Sequence, residues 1–131
     1  MSKDAVKKYA LAQINVMRKM TRPMSLGLIG KEPKELIKHI ETALSLPAGE
    51  LHKNATRKTE IVEGKKIAIM LISKLYPRMP LQKIADMFPG YDHTMIVHHR
   101  KHGFDLLEGG DPMFSYKFEN ALNAVEEWIK E

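Results

Sequence analysis

Asp92, His93, Thr94 and Met95, followed closely by His98, His99, Arg100 and Lys101, make a dense run of hydrogen-bonding and cationic side chains. Such a run suits the edges and phosphates of a nucleic acid. A carboxylate accepts from a cytosine amino group, and a threonine bonds a base edge or offers its methyl to thymine. Methionine gives only an apolar contact, best suited to a thymine methyl. Histidine, arginine and lysine meet phosphate. A plainer reading stands beside this one: Asp92 and Thr94 cap a helix, and the histidines are ordinary surface residues.

His98 and His102 stand four apart, the spacing at which one helix face can present two imidazoles to zinc. No Glu lies between them in an H-E-x-x-H arrangement and no third ligand is assignable, so neither a metal nor another cofactor is expected. The chain has no cysteine, which excludes disulfides, thiol nucleophiles and cysteine-ligated metal centres.

The run must be positioned by the stretch 79–101, MPLQKIADMFPGYDHTMIVHHRK. Leu81, Ile84, Ala85 and Phe88 recur with helical spacing over 81–88, Pro89-Gly90 interrupts, and Asp92 opens a second segment whose Ile96 and Val97 are expected to pack inward. This is a helix, a turn and a second helix, in which the polar first turn of the second is the part that enters a major groove. Gly90 comes one residue later than the glycine of an ordinary repressor turn, whose place Pro89 takes.

Other helices follow from the same periodicity. Residues 4–20 form an amphipathic segment, with Val6, Tyr9, Ala10, Ile14, Met17 and Met20 on one face, and residues 21–30 form a Pro/Gly-containing connector. Segments 32–46, 60–76 and 113–130 each carry an apolar stripe, and Thr56 or Thr59 is a candidate cap for the second. Gly64 sits inside that long helix at a propensity cost of about 1 kcal/mol, while Gly103 and Gly109-Gly110 break the pattern after the second helix of the pair. Trp128 is expected in the core. No segment alternates like a strand, so the fold class is all-α. The 131 residues suit residues 1–30 as a helix and connector ahead of one domain over 31–131.

Charge is unevenly spread. Residues 51–102 carry ten Lys/Arg against four Asp/Glu, whereas 103–131 carry two against seven. A basic middle that coincides with the helix pair is what phosphate attraction requires. No apolar run is long enough to span a membrane and no secretory leader is visible, so a cytoplasmic protein is expected.

The segments IVEGKKIAIMLISKLY and LQKIADMFPGYDHTMIVHHRK resemble the C-terminal duplex-binding helix-turn-helix domain of DnaA, the bacterial replication initiator. The hallmark is the Asp92-His93-Thr94 triplet, in register with a preceding basic helix that contains Ala68. The resemblance covers roughly residues 33–129 and is strong over 57–101. It implies sequence-specific binding of double-stranded DNA. Asp92, His93, Thr94 and Met95 would touch bases, and Arg57, Lys65, Lys66, Lys83, Tyr91, His98 and Lys101 the backbone. Departures from the pattern are Glu63 in place of a minor-groove arginine, Tyr91 in place of the arginine before the triplet, Met95 in place of a second threonine, and His99 and Gly103 at packing positions. They imply a different target sequence, since one lost arginine-to-guanine contact removes about 1–3 kcal/mol of discrimination.

No G-x-x-x-x-G-K-[ST] loop occurs. The chain is therefore expected to be a non-enzymatic reading head without the ATPase, binding no nucleotide, and acting as a regulator of replication or transcription of the kind a phage or mobile element encodes. A homo-oligomer and replication proteins are further partners consistent with that role. The alternative is a protein-interaction module that binds an acidic partner or the initiation machinery through Met87, Met95 and the basic face.

Overall fold

The computed structural model describes Leu28, residues 30–53 and residues 58–131. The expected helix over 4–20, most of the connector, Thr56 and Arg57 lie outside the described residues. Within them the chain is entirely helical: α1 (Pro33–Ala43), a 3-10 turn (Glu50–His52), α2 (Thr59–Leu75), α3 (Leu81–Asp86), α4 (His93–Glu108) and α5 (Pro112–Lys130).

The organising element is α2. Residues 67–72, from Ile67 to Ile72, are all fully buried, so this helix is apolar around its whole circumference and is enclosed by its neighbours. It packs against α1, α4 and α5. Helix α1 contributes Leu36, Ile37 and Ile40 to that core, with Pro33 in its first turn, where the missing N–H costs nothing. Buried Glu41 accepts from the Leu51 N–H at 2.9 Å and ties the 3-10 turn to α1. Thr59 begins α2 as a helical residue rather than as its cap, which is Lys58.

Asp111 accepts from the Phe114 N–H at 2.8 Å, Pro112 follows in the first turn, and α5 then buries Phe114, Phe118, Leu122, Val125 and Trp128. Trp128 is core, as its spacing indicates. Its ring lies 5.4 Å from that of His39, and the Lys31 ammonium sits 5.2 Å from the indole centroid while donating to the Trp128 carbonyl at 2.6 Å. A cation on the last carbonyls also opposes the helix dipole.

Two glycines permit close packing. A Cβ on Gly64 would meet Leu51 Cδ2 at 2.9 Å and Leu46 Cδ1 at 3.1 Å, so leucine side chains, not a backbone, fill the space it leaves. Gly103 corrects the sequence reading: α4 runs through it to Glu108. It lies where α4 crosses α2, and a Cβ there would collide with Met70 Sδ and press on Lys66 Cγ at 3.2 Å. A glycine usually read as a breaker is here the residue that lets the two helices touch.

Candidate nucleic-acid interface

Helix α3 is only six residues long and is anchored by Ile84 and Ala85, with fully buried Phe88 just beyond it. Pro89 then precedes Gly90 at φ 84, the left-handed conformation that favours glycine. The turn is thus made by the later glycine, and Tyr91 and Asp92 lead into α4. Asp92 Oδ1 accepts from the Met95 N–H at 2.9 Å, an N-cap that fixes where α4 begins.

From that start the side chains of α4 divide. Asp92, His93 and Thr94 are exposed, Met95 is half-buried, and Ile96 is fully buried and pins the helix to the core. Val97, expected to pack inward with Ile96, is 41% exposed instead. One residue is 100° of helix, enough to carry a neighbour from the core out to the surface. His98, Lys101 and His102 are exposed, while His99 and Arg100 are half-buried.

The turn residue Tyr91 is held by three neighbours. His99 stacks on it at 5.2 Å with the planes 14° apart, Phe88 packs at 5.9 Å, and the Lys65 ammonium lies 5.2 Å from its centroid. Burial raises the Tyr91 pKa and lowers that of Lys65. His99 is pushed down to about 4, first by burial and then by the charges of Lys66, His98, His102 and Lys65. Its Nδ1 is buried without a hydrogen-bond partner, a position that a charged imidazolium would tolerate poorly.

Lys65, which the resemblance implies as a backbone contact, has its side chain buried in the fold. It is 1% exposed and its ammonium donates to the Lys53 carbonyl at 3.0 Å. Its four-carbon stem is absorbed into the packing around α2. Lys66 is 6% exposed, with Nζ 2.7 Å from His102 Nδ1, and burial lowers its pKa against an opposing pull from Glu63. His102 in turn stacks with His98 at 6.4 Å. These contacts bring Lys66, His98 and His102 together on one flank of α4. His102 was singled out in the sequence only as a metal candidate. Among the described residues no three His, Cys, Asp or Glu side chains are grouped to hold a metal ion.

Lys83 is exposed on α3, apart from this group, at the rim of a depression lined by Tyr76, Pro77 and Met79. Glu63, at the position where the resemblance led us to expect a minor-groove arginine, pairs with Lys117 at 3.4 Å and links α2 to α5. Among the described residues no helix is long and apolar enough to cross a membrane.

The exposed tip and its cationic flanks lie within the part of the chain that a family model recognises. The model described as the bacterial dnaA protein helix-turn-helix matches residues 33–102, from the start of α1 into the third turn of α4. Neither the curated proteins nor the solved structures gave a match.

Proposed function

Because the chain belongs to the bacterial DnaA helix-turn-helix family, we propose that it reads double-stranded DNA sequence-specifically by placing the first turn of α4 in the major groove. One observation carries this reading: Asp92, His93 and Thr94 are exposed together at the tip of a helix whose Ile96 is fully buried. The tip is therefore held rigidly and offered outward, as groove reading requires.

In this reading Thr94 and His93 bond base edges, Asp92 uses the carboxylate oxygen left free by the cap to accept from a cytosine amino group, and Met95 meets a thymine methyl. His98, Lys101 and the Lys66–His102 pair contact phosphates on the flank, with Lys83 and Arg57 reaching the backbone elsewhere. Tyr91 adds its rim to the backbone contact, and Lys65 acts through it by positioning its ring. The chain serves as a reading head without the initiator's ATPase, a regulator or site competitor in replication or transcription. Its cytoplasmic location follows from that role.

Selection from a random duplex pool, followed by fluorescence anisotropy across a salt series, tests the proposal. The expected result is a preferred duplex whose affinity falls steeply with salt. Thr94→Ala should relax preference at one position by about 1–3 kcal/mol, and Lys101→Ala should weaken all duplexes alike and reduce the salt slope by about 0.9. Equal affinity for selected and random duplexes, or no dependence on salt, refutes the proposal.

A further inference from the structure

Helix α4 has a second flank from which the assignment above uses only Lys101. By helical periodicity His98 and His102 lie to one side of its outer face, and Val97, Arg100 and Phe104 to the other. On that other side, Ser73 and Lys74 from the C-terminal end of α2 join Val97, Arg100, Lys101 and Phe104 around a depression of about 290 Å³. The Lys74 ammonium stands 5.4 Å from the Phe104 ring centroid, which orients it over the depression's apolar wall. Ser73 Oγ is buried there with no hydrogen-bond partner. No carboxylate among the described residues pairs with Lys74, Arg100 or Lys101. Three cations and an unsatisfied hydroxyl converge on one shallow seat.

Distance along the helix suggests what fills it. Helix α4 has 16 residues and is thus about 24 Å long, whereas a major groove is about 12 Å wide. A helix with its tip among the bases must therefore pass over sugar-phosphate within a few turns. Arg100 and Lys101 lie six and seven residues beyond Thr94, roughly 10 Å along the axis. They stand where the helix leaves the groove. Exposed Asp105 and Glu108 follow at once, so the cationic stretch ends where contact with phosphate should end.

We propose that Lys74 and Arg100, with Ser73 at the floor of the seat, hold a phosphate of the DNA strand opposite the one met by His98, so that α4 is clamped between both backbones. This rests on the reading of α4 as the groove-entering helix and deepens it. The clamp supplies no base readout. It adds affinity on any sequence by holding α4 against the second backbone.

The test uses the full chain and its selected duplex in two arms. In the first, Lys74→Gln and Arg100→Gln are titrated across a salt series. Each should lower the slope of log K against log salt by about 0.9 and weaken binding about eightfold near 0.1 M salt, while leaving base preference unchanged. Because both hold one phosphate, the double variant should lose less than the product of the single losses. In the second arm, neutral methylphosphonates replace single phosphates on each strand. One position should cost the wild type affinity but cost Arg100→Gln nothing, and it should lie on the opposite strand from the position insensitive in His98→Asn. Unfolding curves show whether each variant is folded, and Lys74→Gln carries the test if Arg100→Gln is not.

Unchanged salt slopes in both variants, or a shared phosphate for Arg100 and His98, overturn the clamp while groove reading survives. Wild type with no duplex preference overturns both. Polyglutamate binding that Arg100→Gln abolishes, with duplex affinity intact, assigns the seat to an acidic protein and also overturns the clamp.

Discussion

Replacing Gly103 by alanine sets two known effects against each other at a close crossing of α4 over α2. Alanine is favoured over glycine in a helix interior by about 1 kcal/mol, so propensity alone predicts stabilisation. Against it stands the added Cβ, which would collide with Met70 Sδ and lie 3.1 Å from Met70 Cγ and 3.2 Å from Lys66 Cγ. Met70 is fully buried, and Lys66 is held at its far end by His102, so neither can simply swing away. Overpacking of this kind costs about 1–3 kcal/mol. The net expectation is a loss of roughly 0–2 kcal/mol, read by urea unfolding at pH 7.5. Function should suffer more than stability. Separating α4 from α2 moves the tip relative to both flanks, so specific affinity should fall further than affinity for random duplex. Met70→Ala alone should cost about 2–5 kcal/mol, and combined with Gly103→Ala should cost at least 1 kcal/mol less than the sum, because the deleted atoms are the ones the new methyl meets. Gly64→Ala, which meets only the ends of leucine side chains, should be nearly neutral. A Gly103→Ala protein that is more stable than wild type and binds DNA equally well refutes the close-contact argument, as does strict additivity with Met70→Ala.

Two further outcomes follow from buried polar groups. His99 has its pKa pushed down from 6.5 to about 4, so the unfolded chain takes up this proton more readily than the folded one. Its contribution is complete above pH 6.5 and is lost as pH falls from 6.5 through 4. Discounted for a half-exposed ring, the loss is about 1–2 kcal/mol. Unfolding at pH 7.5 and 4.5 should show it and His99→Leu should reduce it, whereas an NMR titration placing His99 near its ordinary value would contradict it. Glu41→Ala strands the Leu51 N–H in the interior and should cost about 1–3 kcal/mol, with Glu41→Gln costing less because an acceptor remains. Equal melting temperatures for Glu41→Ala and wild type would show that this bond contributes nothing.

The helices were legible because apolar periodicity reports directly on which face is buried. The stripes of α1 and α5, the Asp111-Pro112 start and the core position of Trp128 all follow from residues near one another in the chain. What periodicity does not report is how completely a helix is enclosed. Lys65 and Lys66 look like surface cations in sequence, yet α2 is surrounded by three other helices and their stems are buried with it. Charge specifies where a side chain ends, not where its carbons lie. Gly103 was misread for a similar reason. Its role is defined by Met70, a residue 33 positions earlier.

The departures from the family pattern show the same logic at the candidate site. Tyr91, standing before the triplet, has the ring of His99 stacked on it at 5.2 Å. These two residues, eight apart in sequence, make one aromatic contact that closes the turn. Glu63 likewise has Lys117 as its partner on α5. A side chain engaged in the fold is less available to a base. On the proposed groove reading, readout thereby narrows to the start of α4, Asp92 through Met95, whose only side-chain hydrogen bond among the described residues is the Asp92 cap. The selected DNA site should accordingly be short in the major groove, with its affinity carried by the phosphates on either side.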